Sequence, residues 1–300
     1  MPEEVGALSK VRIIDLTDER AIYGAKLLAD LGADVVRPEP PEGDPLRRRG
    51  PFCNDDPDQP SLWHAFFASN RRFISLDLET QTGLDQLTGL IANAEIVLVS
   101  EGAFGTSDLD FDVAMRANPA LVWVECSSFG SEGPWKDYLA PDLVAGALGG
   151  SVSTTGDVDT PPLKAFGDLN FVVSGCYAAI AALSALYHAK ETGQGQRVDV
   201  PVHQCIASCL EHVFMWYWYS DLLGPARGRA LERRGSLHWS NMYVVMQAVG
   251  GTIMVTPTPD IDAQLTWLIE ADEFEDLFEP EFQDPANQAQ FMARLMEVLR

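Results

Sequence analysis

Between residues 11 and 37 the chain reads Val11-Arg12-Ile13-Ile14-Asp15-Leu16, then a stretch of helical spacing from Ala21 to Leu31, then Gly32-Ala33, then Asp34-Val35-Val36-Arg37. A short β-type run, a helix stopped by glycine and a second apolar run make one βαβ unit. This unit restricts the fold more than any other feature, because strands joined through a helix lie parallel. The pattern recurs: Arg72 to Leu78 alternates like a strand, Thr82 to Ala92 has helical spacing, Ile96-Val97-Leu98-Val99 is a buried-strand run, and Leu121 to Ser127 is another after the Asn118-Pro119 turn. The expected fold class is therefore α/β, a doubly wound, Rossmann-like parallel sheet. Ligands of such sheets lie beyond the carboxyl ends of the strands, which directs attention to the loops after Leu16, Val36, Val99 and Ser128.

Further along, Leu139 to Gly150 and Gly175 to His188 are rich in small residues and read as closely packed helices. Gly193-Gln194-Gly195-Gln196 ends the second of these before a strand over Arg197 to Val202. The apolar stretch Val172 to Tyr187 is broken by Ser174, Gly175 and Ser184 and falls short of the roughly 20 residues of a spanning helix, so a buried core helix is expected there. The charged run Leu223 to Arg234, with Gly224-Pro225, reads as a linker. Tyr243 to Thr256, broken by Gly250-Gly251, reads as a hairpin. Residues 1–225 are thus expected to form a large α/β domain and 226–300 to begin a smaller α+β one.

A net charge of −23 argues against a binder of phosphate backbones, which needs clustered cations. Arginines do gather at Arg47-Arg48-Arg49, Arg71-Arg72 and Arg227, Arg229, Arg233, Arg234, where an anionic ligand or solvent is the alternative occupant. Gly-x-Gly-x-x-Gly is missing from the first turn, where Thr17-Asp18-Glu19-Arg20 stands, and this argues against a nicotinamide or flavin enzyme. The cysteines, Cys53, Cys126, Cys176, Cys205 and Cys209, form no C-x-x-C pair, and no metal-ligand spacing is present. The opening Met-Pro-Glu-Glu-Val has neither a basic nor an apolar leader region. A reduced, cytoplasmic protein without membrane or nucleic-acid partners is expected.

The segment Lys26 to Arg47, containing Ala29-Asp30-Leu31-Gly32-Ala33-Asp34-Val35-Val36-Arg37 and Gly43-Asp44-Pro45-Leu46-Arg47, resembles the opening of class III CoA-transferases, the group of formyl-CoA and carnitine CoA-transferases and α-methylacyl-CoA racemases. Matching pieces follow in order: Asn70-Arg71-Arg72 with Ser75 to Leu78, Asn118-Pro119, Ser128 to Pro134, Asp142 to Ala145, Thr155-Gly156, Pro161-Pro162, and Tyr187-His188 leading to Glu191 to Gln196. The resemblance covers residues 11 to about 215. It implies a CoA-binding large domain, a smaller second domain, and an interlocked dimer, either a homodimer or a heterodimer with a paralogue. Members of the family run longer, and here the sequence stops at Arg300 within an apparent helix, Phe291 to Leu299.

The implied chemistry is transfer of CoA between carboxylic acids through an aspartyl-CoA thioester. Two registers compete for the nucleophile, and a third reading makes Asp168 a plain loop or cap carboxylate. Gly167-Asp168-Leu169-Asn170 resembles the Gly-Asp-x-Asn of formyl-CoA transferase and selects Asp168. Counting back four residues from the helix glycine, read as Gly175, selects Phe171 and leaves the carboxylate missing. The alternatives are a silent subunit that partners an active paralogue, or an acyl-CoA isomerase or racemase. Racemases of the family carry His directly before the aspartate matching Asp142, and Pro141 stands there in this chain. Toward coenzyme A the candidates are Arg37, a cation at a strand end that can reach phosphate, then Asn70, Arg71 and Arg72, with Asp142 and with Arg20, which stands where the family usually has a neutral residue. Ser100-Glu101-Gly102-Ala103-Phe104 departs from the family's Glu-Asn-x-x-Pro-Gly.

Overall fold

The structure, a computed structural model, describes residues 6–103, 109–156, 159–210, 213–214, 218–219, 244–255, 275–280, 287, 290 and 294. Phe104, the linker expected at 223–234 with its four arginines, and, Arg294 apart, the helix expected at 291–299 lie outside the described residues.

Six strands form one parallel sheet: β1 (Arg12–Leu16), β2 (Asp34–Glu39), β3 (Arg72–Ser75), β4 (Ile96–Ser100), β5 (Val122–Ser127) and β6 (Gln196–Pro201), in the spatial order β3-β2-β1-β4-β5-β6. This is the doubly wound order whose reversal point falls between β1 and β4. The first crossover is α1 (Ile22–Asp30). Next come α2 (Leu62–Phe67), α3 (Gln81–Ala92) and α4 (Phe111–Ala117), then α5 (Asp142–Gly149), a single turn α6 (Ser151–Thr154), α7 (Leu169–Thr192) and α8 (Val202–Ser208).

Alternate residues of the buried strands feed two cores, as strand geometry requires when both faces are covered. Ile13, Val35, Ile96, Leu98, Val122 and Val124 pack with Leu28 of α1 and Ala178, Ala182 and Ala185 of α7. Ile14, Leu16, Val36, Val97 and Val99 pack with Leu87 and Ile91 of α3 and Ala114 of α4.

β3 stops at Ser75 rather than running to Leu78. Helix α7 is longer than the apolar stretch suggested: it spans 24 residues, has the length and hydropathy of a membrane-crossing helix, and ends at Gly193 with φ +74°. Its small-residue face, including Ser174, Gly175, Ala178 and Ala182, is buried. At its closest approach to α1, a Cβ on Gly24 would stand 2.4 Å from the Gly175 carbonyl oxygen, and one on Gly175 would stand 2.8 Å from Gly24 N. Glycine at both positions lets the two backbones touch.

The chain divides into two compact units. The first, Met1–Val152 with Lys164–Leu210, holds the parallel sheet. The second, Ser153–Leu163 with Glu211–Arg300, contains the antiparallel hairpin β7 (Val244–Ala248) and β8 (Gly251–Val255), with Gly250 at φ +89° in its turn.

Candidate active site

At the carboxyl half of β1, Asp15 is fully buried. Its carboxylate accepts from Arg71 Nη1 at 2.6 Å, from Arg37 Nη1 at 3.0 Å, and from the Thr17 hydroxyl at 2.6 Å. Arg37 Nε donates to Asp44 Oδ2 at 2.6 Å, and the His64 ring lies 3.4 Å from the same oxygen. Two guanidiniums and two carboxylates thus make a neutral buried cluster. Burial alone would raise the Asp15 pKa, but the charges of Arg71 and Arg37 outweigh it and hold the carboxyl below its ordinary value. Burial would likewise favour neutral Arg37, and Asp15 and Asp44 overcome this and keep it charged. Both Arg37 and Arg71 are turned inward, 6% and 0% exposed, with their charge matched by these carboxylates.

Asn70 and Arg72 are not brought to this edge. Arg72, the first residue of β3, pairs with Asp34, the first residue of β2, and Arg12, the first of β1, joins the same carboxylate. That places Arg72 at the amino edge of the sheet. Asn70 donates to Asp30, the last residue of α1, at 2.7 Å.

The loop after β1 carries Arg20, whose Nε donates to Asp18 Oδ2 at 2.9 Å and whose Nη2 donates to the Glu101 carbonyl. Burial works against its charge, and the hydrogen bond and charge of Asp18 more than restore it. The Arg20 carbonyl accepts from Ser174 Oγ on α7 at 2.6 Å, and Asp18 N–H donates to Ser100 Oγ at 3.1 Å. The loop is thereby tied both to β4 and to α7.

The amino end of α7 is the third element. Asp142, the first residue of α5, is buried and turned toward it: Oδ1 accepts the Phe171 N–H at 3.1 Å, and Oδ2 accepts Asn170 Nδ2 at 2.8 Å and pairs with Lys164 Nζ at 3.1 Å. One of the orphan donors of the helix start is satisfied by a side chain from another helix. Phe171 is buried among the sheet-facing residues.

Asp168 occupies the N-cap position, and its carbonyl accepts the Val172 N–H at 3.0 Å, but its carboxylate makes no capping bond. The carboxylate turns instead to Arg49 Nη2. Arg49 also lies 3.8 Å from Glu19, and its guanidinium sits 4.5 Å from the Trp63 ring centroid. Asp168 and Arg49 are 27% and 30% exposed, within reach of a solute. Arg49 belonged to a visible arginine run, but its partner lies 119 residues away and nothing local announced it. Lys164, which also donates to the Ala165 and Gly167 carbonyls, carried no sequence signal. Among the described residues no group of His, Cys, Asp or Glu could hold a metal.

A cavity of about 660 Å³ is lined, among the described residues, by Glu101, Asp110, Asp112 and Glu125 together with the cation Arg197. Its acidic wall is unsuited to phosphate.

The model of CoA-transferase family III matches residues 8–300. The succinyl-CoA:(R)-benzylsuccinate CoA-transferase subunit BbsE of Thauera aromatica is 34% identical over 249 residues, covering 81% of this chain and 60% of that protein. The formyl-CoA:oxalate CoA-transferase of Streptomyces avermitilis is 36% identical over 203 residues, covering 67% of this chain and 49% of that protein. The matched part thus spans roughly half to three fifths of these curated relatives. Among solved structures, a CAIB/BAIF family protein from Brucella suis has a TM-score of 0.79 at 27% identity, covering 98% of this chain and 78% of that one.

Proposed function

The chain belongs to CoA-transferase family III, and from that premise we propose that it moves CoA between carboxylic acids with Asp168 as the covalent carboxylate. The observation that carries this reading is the state of Asp168: it stands at the amino end of a 24-residue helix, is reachable by solute, and its carboxylate makes no capping bond. The helix terminus favours negative charge at that point. In the proposed cycle the Asp168 carboxylate attacks the thioester carbon of the donor, giving a mixed anhydride and CoA thiolate. The thiolate then attacks the aspartyl carbonyl and expels the donor acid, leaving aspartyl-CoA thioester. An acceptor carboxylate reverses the sequence and departs as the new thioester.

For CoA we propose the carboxyl edge of the sheet, with Arg20 in the first loop and the Arg37 and Arg71 cluster beneath it. Asn70 and Arg72 at the amino edge, and Asp142 in the α7 cap, are left out of that assignment. Assembly as an interlocked dimer with a smaller second domain belongs to the same proposal. A cytoplasmic location does too, supported by five free cysteines.

A second reading, a subunit that completes a paralogue, draws on two observations. The Thauera relative is itself named a subunit, and Phe171, the residue at the alternative register, is buried apolar surface rather than an acid. Incubation with succinyl-CoA or formyl-CoA followed by hydroxylamine or borohydride, with mass mapping, separates the two. A tag on Asp168 that disappears in Asp168→Asn supports the transferase. CoA binding without any tag, and activity only with an added paralogue, supports the subunit. Solvent deuterium entering the acyl α-carbon would instead point to an isomerase or racemase.

A further inference from the structure

We propose that Arg49 is the cation that holds the reacting carboxylate of each acid substrate, exchanging it with Asp168 during the cycle; this rests on Asp168 being the nucleophile. The arm is built from beneath. Ser61, the buried N-cap of α2, donates its hydroxyl to the Arg49 carbonyl and accepts the His64 N–H at 2.9 Å. Trp63, packed on Phe67 with ring centroids 4.4 Å apart, supports one face of the guanidinium. Main chain and plane are both fixed, and the edge of the fork faces Asp168. An arginine fork has five N–H donors and suits carboxylates. Lys164, the other cation near the α7 start, is committed to Asp142 and to two carbonyls.

The charge sequence of the reaction gives this pair a role. At rest Asp168 is anionic and paired with Arg49. When CoA thiolate attacks the aspartyl carbonyl of the anhydride, the C–O bond to the donor acid breaks. The donor leaves as a free carboxylate while Asp168 becomes a neutral thioester. The negative charge has moved from Asp168 to the substrate acid beside it, and Arg49, left among the described residues with Glu19 at 3.8 Å, takes the new carboxylate. The acceptor enters by the same route, its carboxylate oxygen bonding to the aspartyl carbon as CoA thiolate departs. Thiolate attack on the acyl carbon then makes the new thioester and returns the charge to Asp168. Electrons and atoms balance without an added proton or oxidant.

The test uses whichever of succinyl-CoA or formyl-CoA tags Asp168, and follows exchange of its labelled free acid into the thioester. Arg49→Gln is expected to raise KM for the free acid about tenfold or more while leaving KM for the thioester within about twofold, and Arg49→Lys to recover part of the loss. Thermal unfolding of both variants checks the fold, and should the glutamine variant unfold, the lysine variant alone decides by the same KM comparison. A tag on Asp168 with an unchanged free-acid KM in the variants overturns the role of Arg49 and leaves the transferase reading standing. Failure of both thioesters to tag wild-type Asp168 overturns the transferase reading itself, and this proposal with it.

Discussion

The main-chain N–H of Phe171 donates to Asp142 Oδ1 at 3.1 Å, so the start of α7 is capped by a carboxylate from the first turn of α5. Asp142→Ala removes the side-chain acceptor for that N–H, for Asn170 and for Lys164 together, leaving Asn170 Nδ2 with the main-chain carbonyl of residue 142 at 3.1 Å. The expected loss is about 2–4 kcal/mol, read from urea denaturation. Amide exchange at Phe171 should quicken about tenfold or more, since local opening no longer breaks a charge-assisted bond.

Asp15 and Asp44 give the fold a pH dependence of fixed sign. Both are held below the ordinary carboxylate value of 3.8: burial opposes this in each, with Arg71 and Arg37 prevailing at Asp15, and the His64 hydrogen bond and Arg37 prevailing at Asp44. A carboxyl depressed in the folded chain contributes stability that is complete above its unfolded value and drains away as pH falls. The urea midpoint should therefore hold from pH 7 to about 5 and decline below about 4. Asp15→Asn should cost about 3–5 kcal/mol at neutral pH. The gap to wild type should narrow on acidification, because a protonated aspartate also offers no charge to Arg37 and Arg71.

Gly24→Ala and Gly175→Ala each insert a methyl into backbone at 2.4 and 2.8 Å, respectively. Each should destabilise by about 1–3 kcal/mol. The two share one contact, so the double variant should lose less than the sum, a coupling measurable in a double-mutant cycle.

Thiol labelling should divide the cysteines by burial. Cys126 and Cys205 are buried; burial pushes the Cys126 thiol far up and, with help from Cys209, that of Cys205 up to about 12. An aromatic disulfide reagent at pH 8 should modify half-exposed Cys53 and Cys209 first and reach Cys126 and Cys205 only with denaturant.

What could be read in advance follows from locality. The βαβ unit at residues 11–37, the strands at 96–99 and 121–127 and the Gly250 turn rest on periodicity and on glycine conformations, and the structure reproduces them within a residue or two. Helix α7 outran its apolar stretch because its first turn carries Asn170, whose partner Asp142 lies 28 residues earlier, and its last turn carries Lys190 and Glu191. The partners of Arg37, the carboxylates of Asp15 and Asp44, stand 22 and 7 residues away in sequence, so residue spacing did not announce this pairing. The pairing of Arg49 with Asp168 is a product of tertiary folding, so residue spacing held no trace of it.

The order of the strands also sets a timetable for synthesis. β1 finds its first neighbour at Asp34, but its other edge waits for β4 at Ile96, and β5 waits for β6 at Gln196. At roughly 5–20 residues per second, each of these edges of the nascent sheet stays uncovered for several seconds. An open strand edge is a template for pairing with another chain. The interval in which this protein is most exposed to aggregation therefore lies on the ribosome, before the finished sheet exists.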